Sequence, residues 1–322
     1  MPTKKVLVCG GGGFIGSHLV SSLKADNYVV HAVDLKDVEY GFGEADVFHQ
    51  LDLRDPIGVR QLIASNDFDE IYQLAADMGG AEFVFTGEHD ADIMHNSATI
   101  NLNLLHALVQ CNKRPRVFYS SSACIYPEHN QMDPANPICL ESSAYPANPD
   151  SDYGWEKLFS ERLYDAFSRN YQLETRIARY HNIFGPYGTY AGGREKAPAA
   201  LCRKVASLNQ GEKVEIFGDG NQTRSFLYVD DCVEATRKLM ESDFPGPVNI
   251  GSTDMISIRD LALLVGRIAG KSVSIKSVPG PTGVNGRNSD NRLIEKELKW
   301  KPSITLEQGL RKTYEWIQCQ IR

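Results

Sequence analysis

Tyr153 and Lys157, four positions apart in "YGWEK", would share one face of a helix. Of the 14 tyrosines, Tyr153 alone has a lysine at that spacing. A phenol ionises near pH about 10 in water, and an adjacent ammonium favours the phenolate. Such a pair can take a proton from a hydroxyl near neutral pH. Ser122, in "VFYSSSACIYPE", can hydrogen-bond the same hydroxyl. If the backbone stays extended past Ser122, Cys124 shares its face by the two-residue period of a strand. A thiol, with a pKa of about 8.5, becomes a competent base when a nearby cation lowers that value. Lys196, in "GGREKAPAAL", sits on a glycine-hinged loop opening a helix, where an ammonium could return a proton from the other side. Buried cysteines are often inert packing and loop lysines often solvated. Spacing alone leaves both readings of Cys124 and Lys196 open.

A second pattern concerns phosphate. "CGGGGFIGSHL" stands between an apolar run and an amphipathic one. Gly10, Gly13 and Gly16 fit G-x-x-G-x-x-G, while Gly11, Gly13 and Gly16 fit G-x-G-x-x-G, and the four-glycine run admits both. Residues without a Cβ let a tight turn approach a pyrophosphate, which then sits on the N-terminus of a helix opened by Phe14, Ile15 and Gly16. Asp34 ends the next apolar run, where a carboxylate accepts from ribose hydroxyls and repels a 2′-phosphate. This favours NAD over NADP, with Lys36 the nearby cation that could tolerate the extra phosphate. Asp52 and Leu53 follow the third strand, where they either touch adenine or simply make a strand-end turn.

The elements that would position these groups alternate. Strands are expected at 4–10, 28–34, 46–53, 70–76 and 116–121. Helices are expected at 15–26, 56–65, 92–111 and from Tyr153 to about residue 170. Alternation of this kind implies a parallel sheet wound on both faces, with ligands at the carboxyl ends of its strands. The second half is broken by Pro- and Gly-rich loops, with helices expected at 256–270 and 305–320. The division reads as a Rossmann-type domain over 1–181, with a return near 225–250, and a smaller discontinuous α/β domain over 182–322.

Composition narrows the partners. The 322 residues carry a net charge of −7, which gives no general affinity for nucleic acid. Seven scattered cysteines without a CxxC pattern suggest reduced thiols in a cytoplasmic protein and no metal site. No apolar run reaches membrane-spanning length, and the N-terminus enters a strand at once.

Together, Gly10/Gly13/Gly16, Asp34, Ser122 and Tyr153-x-x-x-Lys157 resemble the extended short-chain dehydrogenase/reductase family of nucleotide-sugar enzymes, over nearly the whole chain. The resemblance implies a Rossmann domain holding NAD tightly and regenerating it each turnover, with Lys157 also on the nicotinamide ribose. It further implies a C-terminal sugar-nucleotide domain and a homodimer built on helix 92–111 and the helix bearing Tyr153. Members commonly oxidise a sugar carbon transiently, and a ketone at C4 acidifies the hydrogens at C3 and C5. Dehydratase relatives carry an Asp-Glu pair just after the strand serine or threonine. Ala123-Cys124 stands here, which argues against dehydration. The stretches "SSACIYPE", "HNIFGPYGTY", "AGGREKAPAAL", "GDGNQTRSF" and "GRNSDN" resemble members that epimerise a GDP-sugar. That likeness makes Cys124 and Lys196 an acid/base pair. It assigns Gly80, Asn182, Glu195, Ala197, Lys204, Gln222, Arg224 and Arg287, with Ser122, Cys124 and Lys196, to the sugar nucleotide. Arg287 has its own physical case, because a guanidinium forks onto diphosphate oxygens. Two rivals remain: a 4-epimerase, which needs Tyr153 and NAD but neither Cys124 nor Lys196, and a non-catalytic NAD-sensing protein.

Overall fold

A computed structural model describes residues 3–38, 44–209 and 212–321. The first half builds β1 (Lys5–Cys9), α1 (Phe14–Ala25), β2 (Val29–Asp34), β3 (Val47–Gln50), α2 (Pro56–Ala64), β4 (Glu70–Gln73), α3 (Ala81–Val84), α4 (Asp90–Gln110), β5 (Arg116–Ser122), α5 (Asp152–Tyr171) and β6 (Thr175–Tyr180). The second half adds β7 (Ile183–Phe184), α6 (Ala197–Ala206), β8 (Lys213–Phe217), β9 (Thr223–Ser225), β10 (Leu227–Tyr228), α7 (Val229–Glu241), β11 (Val248–Ile250), β12 (Met255–Ser257), α8 (Ile258–Ile268), β13 (Ser274–Val278), β14 (Gly286–Arg287), α9 (Arg292–Leu298) and α10 (Leu306–Gln320).

Seven strands form one sheet in the order β11-β6-β5-β4-β1-β2-β3, with every pair parallel. The alternation of side chains explains the two covered faces. Val6 and Val8 of β1 join the core with Leu19 and Leu23 of α1 and Val229 and Val233 of α7. Leu7 and Cys9 join the opposite core with Val59 and Ile63 of α2 and Leu104 and Leu108 of α4. This is the doubly wound Rossmann-type arrangement. Strand order reverses between β1 and β4, so the crevice for ligands opens beyond their carboxyl ends. The first of these cores runs on into the C-terminal α/β region through Leu201 and Val205 of α6, Leu261 and Val265 of α8, and Leu310 of α10.

The expected elements stand, with shifted ends. The strand expected at 70–76 stops at Gln73, because the Gln73 amide exchanges two hydrogen bonds with the backbone of Ala75 and closes the chain into a turn. The strand expected at 46–53 ends at Gln50, before a turn in which Arg54 grips Asp52. The helix bearing Tyr153 starts at Asp152, with Ser151 as N-cap accepting from Gly154. Of the returning segment, β11 joins the sheet beside β6, and β10 pairs with β7. Beneath the site, Arg179 of β6 and Glu161 of α5 form a buried bidentate pair at 2.8 and 2.9 Å, which also receives Ser121. Among the described residues no helix is long and apolar enough to cross a membrane, and no cluster of His, Cys, Asp and Glu is placed to hold a metal ion.

Candidate active site

The glycine loop joins β1 to α1. Gly10 has φ +78°, and a Cβ there would stand 2.9 Å from the Ala75 nitrogen. A Cβ on Gly16 would stand 2.0 Å from the Gly10 oxygen, and one on Gly11 2.7 Å from the Ala32 methyl. The chain's own packing therefore demands glycine at 10, 11 and 16, and the tight turn falls at Gly10. Gly13 differs. It is the N-cap of α1, has an extended backbone, and its nearest neighbour to a built Cβ lies at 3.4 Å. Nothing inside the chain requires glycine there, whereas a ligand closing on the helix end would. No side chain caps α1, and its first turn carries no acid. The Asp34 carboxylate accepts from Gly12 N–H at 3.1 Å and Lys36 N–H at 3.2 Å, so it stands against the loop. These residues fit a dinucleotide. Asp52 is held in a forked contact by Arg54, whose hydrogen bonds keep its carboxyl below the usual range. Leu53 turns its side chain into the core, and its carbonyl is taken by Asn103.

At the end of β5 the chain departs from expectation. It does not stay extended past Ser122. Ala123–Ile125 form a 3-10 turn capped by the Ser122 hydroxyl, which accepts the Cys124 N–H at 3.2 Å. Ser122 and Cys124 are brought together by that cap, not by strand alternation. Gly154 lets α5 lie against the turn, since a Cβ there would stand 2.2 Å from the Cys124 oxygen. Tyr153, in the first turn of α5, is buried, and its phenol hydrogen-bonds Ser122. Lys157 is buried one turn on. Its ammonium donates to the Ser120 oxygen at 3.0 Å and lies 5.7 Å from the centre of the Tyr153 ring.

The electrostatics here also differ from the sequence expectation. Burial pushes the Tyr153 phenol well above its ordinary range, with Cys124 adding to the rise and the Ser122 hydrogen bond opposing it. Burial also pushes the Lys157 ammonium down, against the pull of Glu156 and Glu161. An adjacent lysine does not outweigh desolvation of the phenol in the protein alone.

Cys124, half-buried, meets Arg287 of β14, whose Nη1 lies 3.1 Å from its Sγ. The other nitrogens of Arg287 are also engaged: Nε donates to Gln131 at 2.6 Å and Nη2 to Asp150 at 2.9 Å. The guanidinium is thus fixed inward, rather than splayed as the diphosphate fork expected for it, with two N–H groups left over. Arg224 stands beside it in register on β9 and is pushed down to about 10, first by burial and then by Arg287. Two neighbouring guanidiniums of this kind favour an anion. Asp150 and Gln131 were not singled out in the sequence. "NPDSDY" reads as a loop supplying an N-cap, and nothing marks Gln131.

Lys196 is the N-cap of α6. Burial pushes its ammonium down, opposed by Cys124 and then Cys232, so it shares the field of the Cys124 thiol. Its loop is pinned by Gly80, whose N–H donates to the Arg194 oxygen at 3.0 Å and whose missing Cβ would stand 2.1 Å from the Glu195 oxygen. Both Glu195 oxygens are used within the chain, on Gly193 N–H and Arg203. Ala197 follows as the first residue of α6 and is partly exposed. Asn182, with φ +46°, donates to the Ser225 oxygen at 2.9 Å and ties the end of β6 to β9. Lys204 and Gln222 form a separate group about Phe217, donating to the Glu215 and Phe217 carbonyls at 2.8 and 3.2 Å. The structure therefore gathers Ser122, Cys124, Tyr153, Lys157, Lys196, Arg224 and Arg287, while Lys204 and Gln222 make their own contacts about Phe217.

A profile of the NAD dependent epimerase/dehydratase family matches residues 6–251. The GDP-mannose 3,5-epimerase of Arabidopsis thaliana is 45% identical over 98% of this chain and 83% of its own length. The UDP-glucose 4-epimerase of Thermotoga maritima, solved with UDP-glucose, superposes with a TM-score of 0.82 at 26% identity, covering 99% of this chain and 100% of that one. MoeE5, solved with UDP-glucuronic acid and NAD, gives a TM-score of 0.80 at 25% identity, covering 98% of this chain and 99% of that one.

Proposed function

Because the chain belongs to the NAD dependent epimerase/dehydratase family, we propose that it is a GDP-mannose 3,5-epimerase, converting GDP-D-mannose to GDP-L-galactose with some GDP-L-gulose. One observation carries the reading: Cys124 and Lys196, the groups an epimerisation needs beyond Tyr153, share one field at the site of a chain 45% identical to that Arabidopsis relative. NAD, when bound on the N-terminus of α1, supplies an acceptor that takes the C4 hydrogen as hydride and returns it, so it stays with the protein and is regenerated.

In this reading Gly10, Gly13, Phe14, Ile15 and Gly16 hold the pyrophosphate, Asp34 the ribose hydroxyls, and Asp52 with Leu53 border the adenine. Tyr153, sharing a hydrogen bond with Ser122, holds the proton of the C4 hydroxyl. Lys157 sets a cation beside the phenol, one turn on along α5. With a carbonyl at C4, the hydrogens at C5 and C3 become acidic because each carbanion is an enolate. Cys124 takes the C5 proton and Lys196 delivers one from the opposite face, and C3 is treated likewise. Arg224 and the two remaining N–H groups of Arg287 neutralise the diphosphate. Gly80, Asn182, Glu195, Ala197, Lys204 and Gln222 line the rest of the sugar nucleotide. The protein acts as a cytoplasmic homodimer, pairing the outer faces of α4 and α5, where Trp155 and Phe159 are 42% and 49% exposed. Sedimentation at the monomer mass would refute the pairing.

The test of function is conversion of GDP-mannose in D2O. The product should carry deuterium at C5 and C3 and none at C4. Converted sugar without label at either carbon refutes the scheme, and Cys124→Ser turning over at the wild-type rate would favour a 4-epimerase.

A further inference from the structure

We propose that Asp150 and Gln131 are positioning residues that pin Arg287 against the sulfur of Cys124 and thereby set the reactivity of that sulfur. The inference rests on Cys124 being the base of the reaction proposed above.

The argument begins with the geometry of a planar cation. A guanidinium has three nitrogens fixed in one fork, so holding two of them determines where the third points. Gln131 takes Nε at 2.6 Å and Asp150 takes Nη2 at 2.9 Å. The remaining nitrogen, Nη1, then falls 3.1 Å from Sγ of Cys124. Neither holder is free to turn. Gln131 is fully buried, and its amide nitrogen donates to the Tyr126 and Pro127 carbonyls at 3.0 and 3.3 Å, which forces its oxygen toward Arg287. Asp150 immediately precedes the N-cap of α5, and in its ion pair both side chains are about 5% exposed, at 5% and 6%. One guanidinium thus ties together the segment after the Cys124 turn, the start of the Tyr153 helix, and β14.

The charges say why a carboxylate is there. Cys124 is faced by Tyr153 and Lys157 from α5, Lys196 from α6, Arg224 from β9 and Arg287 from β14. Phe83 and Val84 of α3 and Ile93 of α4 pack apolar surface against it. Through its charge alone, Asp150 would oppose a thiolate. Through Arg287 it favours one, because it keeps a cation in contact with the sulfur. The two roles have opposite signs, so an experiment can tell them apart.

The readout is the rate at which iodoacetamide alkylates Cys124 in the whole protein across pH, followed by peptide mass spectrometry, with exposed Cys319 as internal reference. Asp150→Ala frees Arg287 from its contact with the sulfur, and Cys124 should react about tenfold more slowly at pH 7. Asp150→Asn keeps an acceptor and removes the opposing charge, so Cys124 should react at least as fast as in the wild type. Asp150→Ala reacting as fast as or faster than the wild type overturns the proposal. If Asp150→Ala does not fold, Arg287→Lys serves. It keeps the charge but brings one nitrogen to three acceptors, so the same slowing is expected, and unchanged alkylation overturns the proposal. Failure of the proposed function is a separate result, because Cys124→Ser retaining GDP-mannose turnover would remove the base without altering these rates.

Discussion

Gly80→Ala tests how the Lys196 loop is positioned. Gly80 has φ −77° and ψ −171°, a backbone any residue adopts, so the substitution carries no conformational penalty. The penalty is steric. The new methyl would stand 2.1 Å from the Glu195 carbonyl oxygen and 2.9 Å from its carbon, both backbone atoms that cannot rotate away. Ordinary contact begins near 3.4 Å, so the 195–196 backbone must retreat by about 1.3 Å or the Gly80 to Arg194 hydrogen bond must break. Overpacking costs roughly 1–3 kcal/mol. The low end is expected, because Gly192 and Gly193 precede the loop at φ +92° and +86° with open space around them, so it can yield. Movement that is easy for the fold is costly for the chemistry. Lys196 is carried along, and a misplacement of about 1 Å can cost on the order of a hundredfold in rate. The assay is steady-state epimerisation of GDP-mannose with kcat and KM resolved, alongside a thermal unfolding curve. A fall in kcat of about a hundredfold with a small loss of stability is expected. A rise in KM alone would mean that Gly80 acts only through its contact with the substrate, and kcat within twofold of the wild type would refute the positioning argument.

Gly13→Ala should fold with a loss of less than about 1 kcal/mol, since its Cβ has room, yet the purified protein should carry at least about tenfold less NAD on release by heat. Wild-type NAD content would show that Gly13 does not face the pyrophosphate. Lys196→Met tests the buried ammonium: burial holds its folded pKa below the unfolded 10.5, so the unfolded chain binds more protons in the window below 10.5 and stability climbs with pH through it. At pH 7, well below 10.5, that penalty is present, so denaturant unfolding should find the inactive variant at least as stable as the wild type, with the difference shrinking toward pH 10.5. A clearly less stable variant at pH 7 would refute this.

What the sequence made legible is the part governed by periodicity. Val6 and Val8 against Leu7 and Cys9 announce a strand buried on both faces, and the long helix read at 92–111 is found at Asp90–Gln110. The sheet of β12, β9 and β14 was illegible for a physical reason: strands of two or three residues are too short to show a period, and their pairing joins residues far apart in the chain. Ser122 and Cys124 were expected to be neighbours and are, but through a capped 3-10 turn that residue spacing does not reveal. The phenol of Tyr153 was misjudged because pairwise spacing shows the ammonium and hides the burial that opposes it. Arg287 was found as a cation, while its partners Gln131 and Asp150 lie more than a hundred residues away in sequence.

The same cations explain how a chain of net charge −7 can hold a diphosphate. Attraction at a crevice depends on the charges that line it and on the low-dielectric walls that focus them, not on the sum over the surface. Arg224, Arg287, Lys157 and Lys196 converge on Cys124, and burial disfavours the charge of each. Asp150 offsets part of the charge of Arg287, whereas Arg224 donates to the Thr223 and Thr282 carbonyls and is further disfavoured by Arg287 beside it. The protein alone therefore leaves positive charge desolvated and incompletely compensated. An anion entering between the two strands relieves that charge, and some of its binding free energy goes into doing so. The cations that would draw a sugar nucleotide into the crevice are thus also those gathered about the sulfur of Cys124, so diphosphate and thiol would share one set of charges.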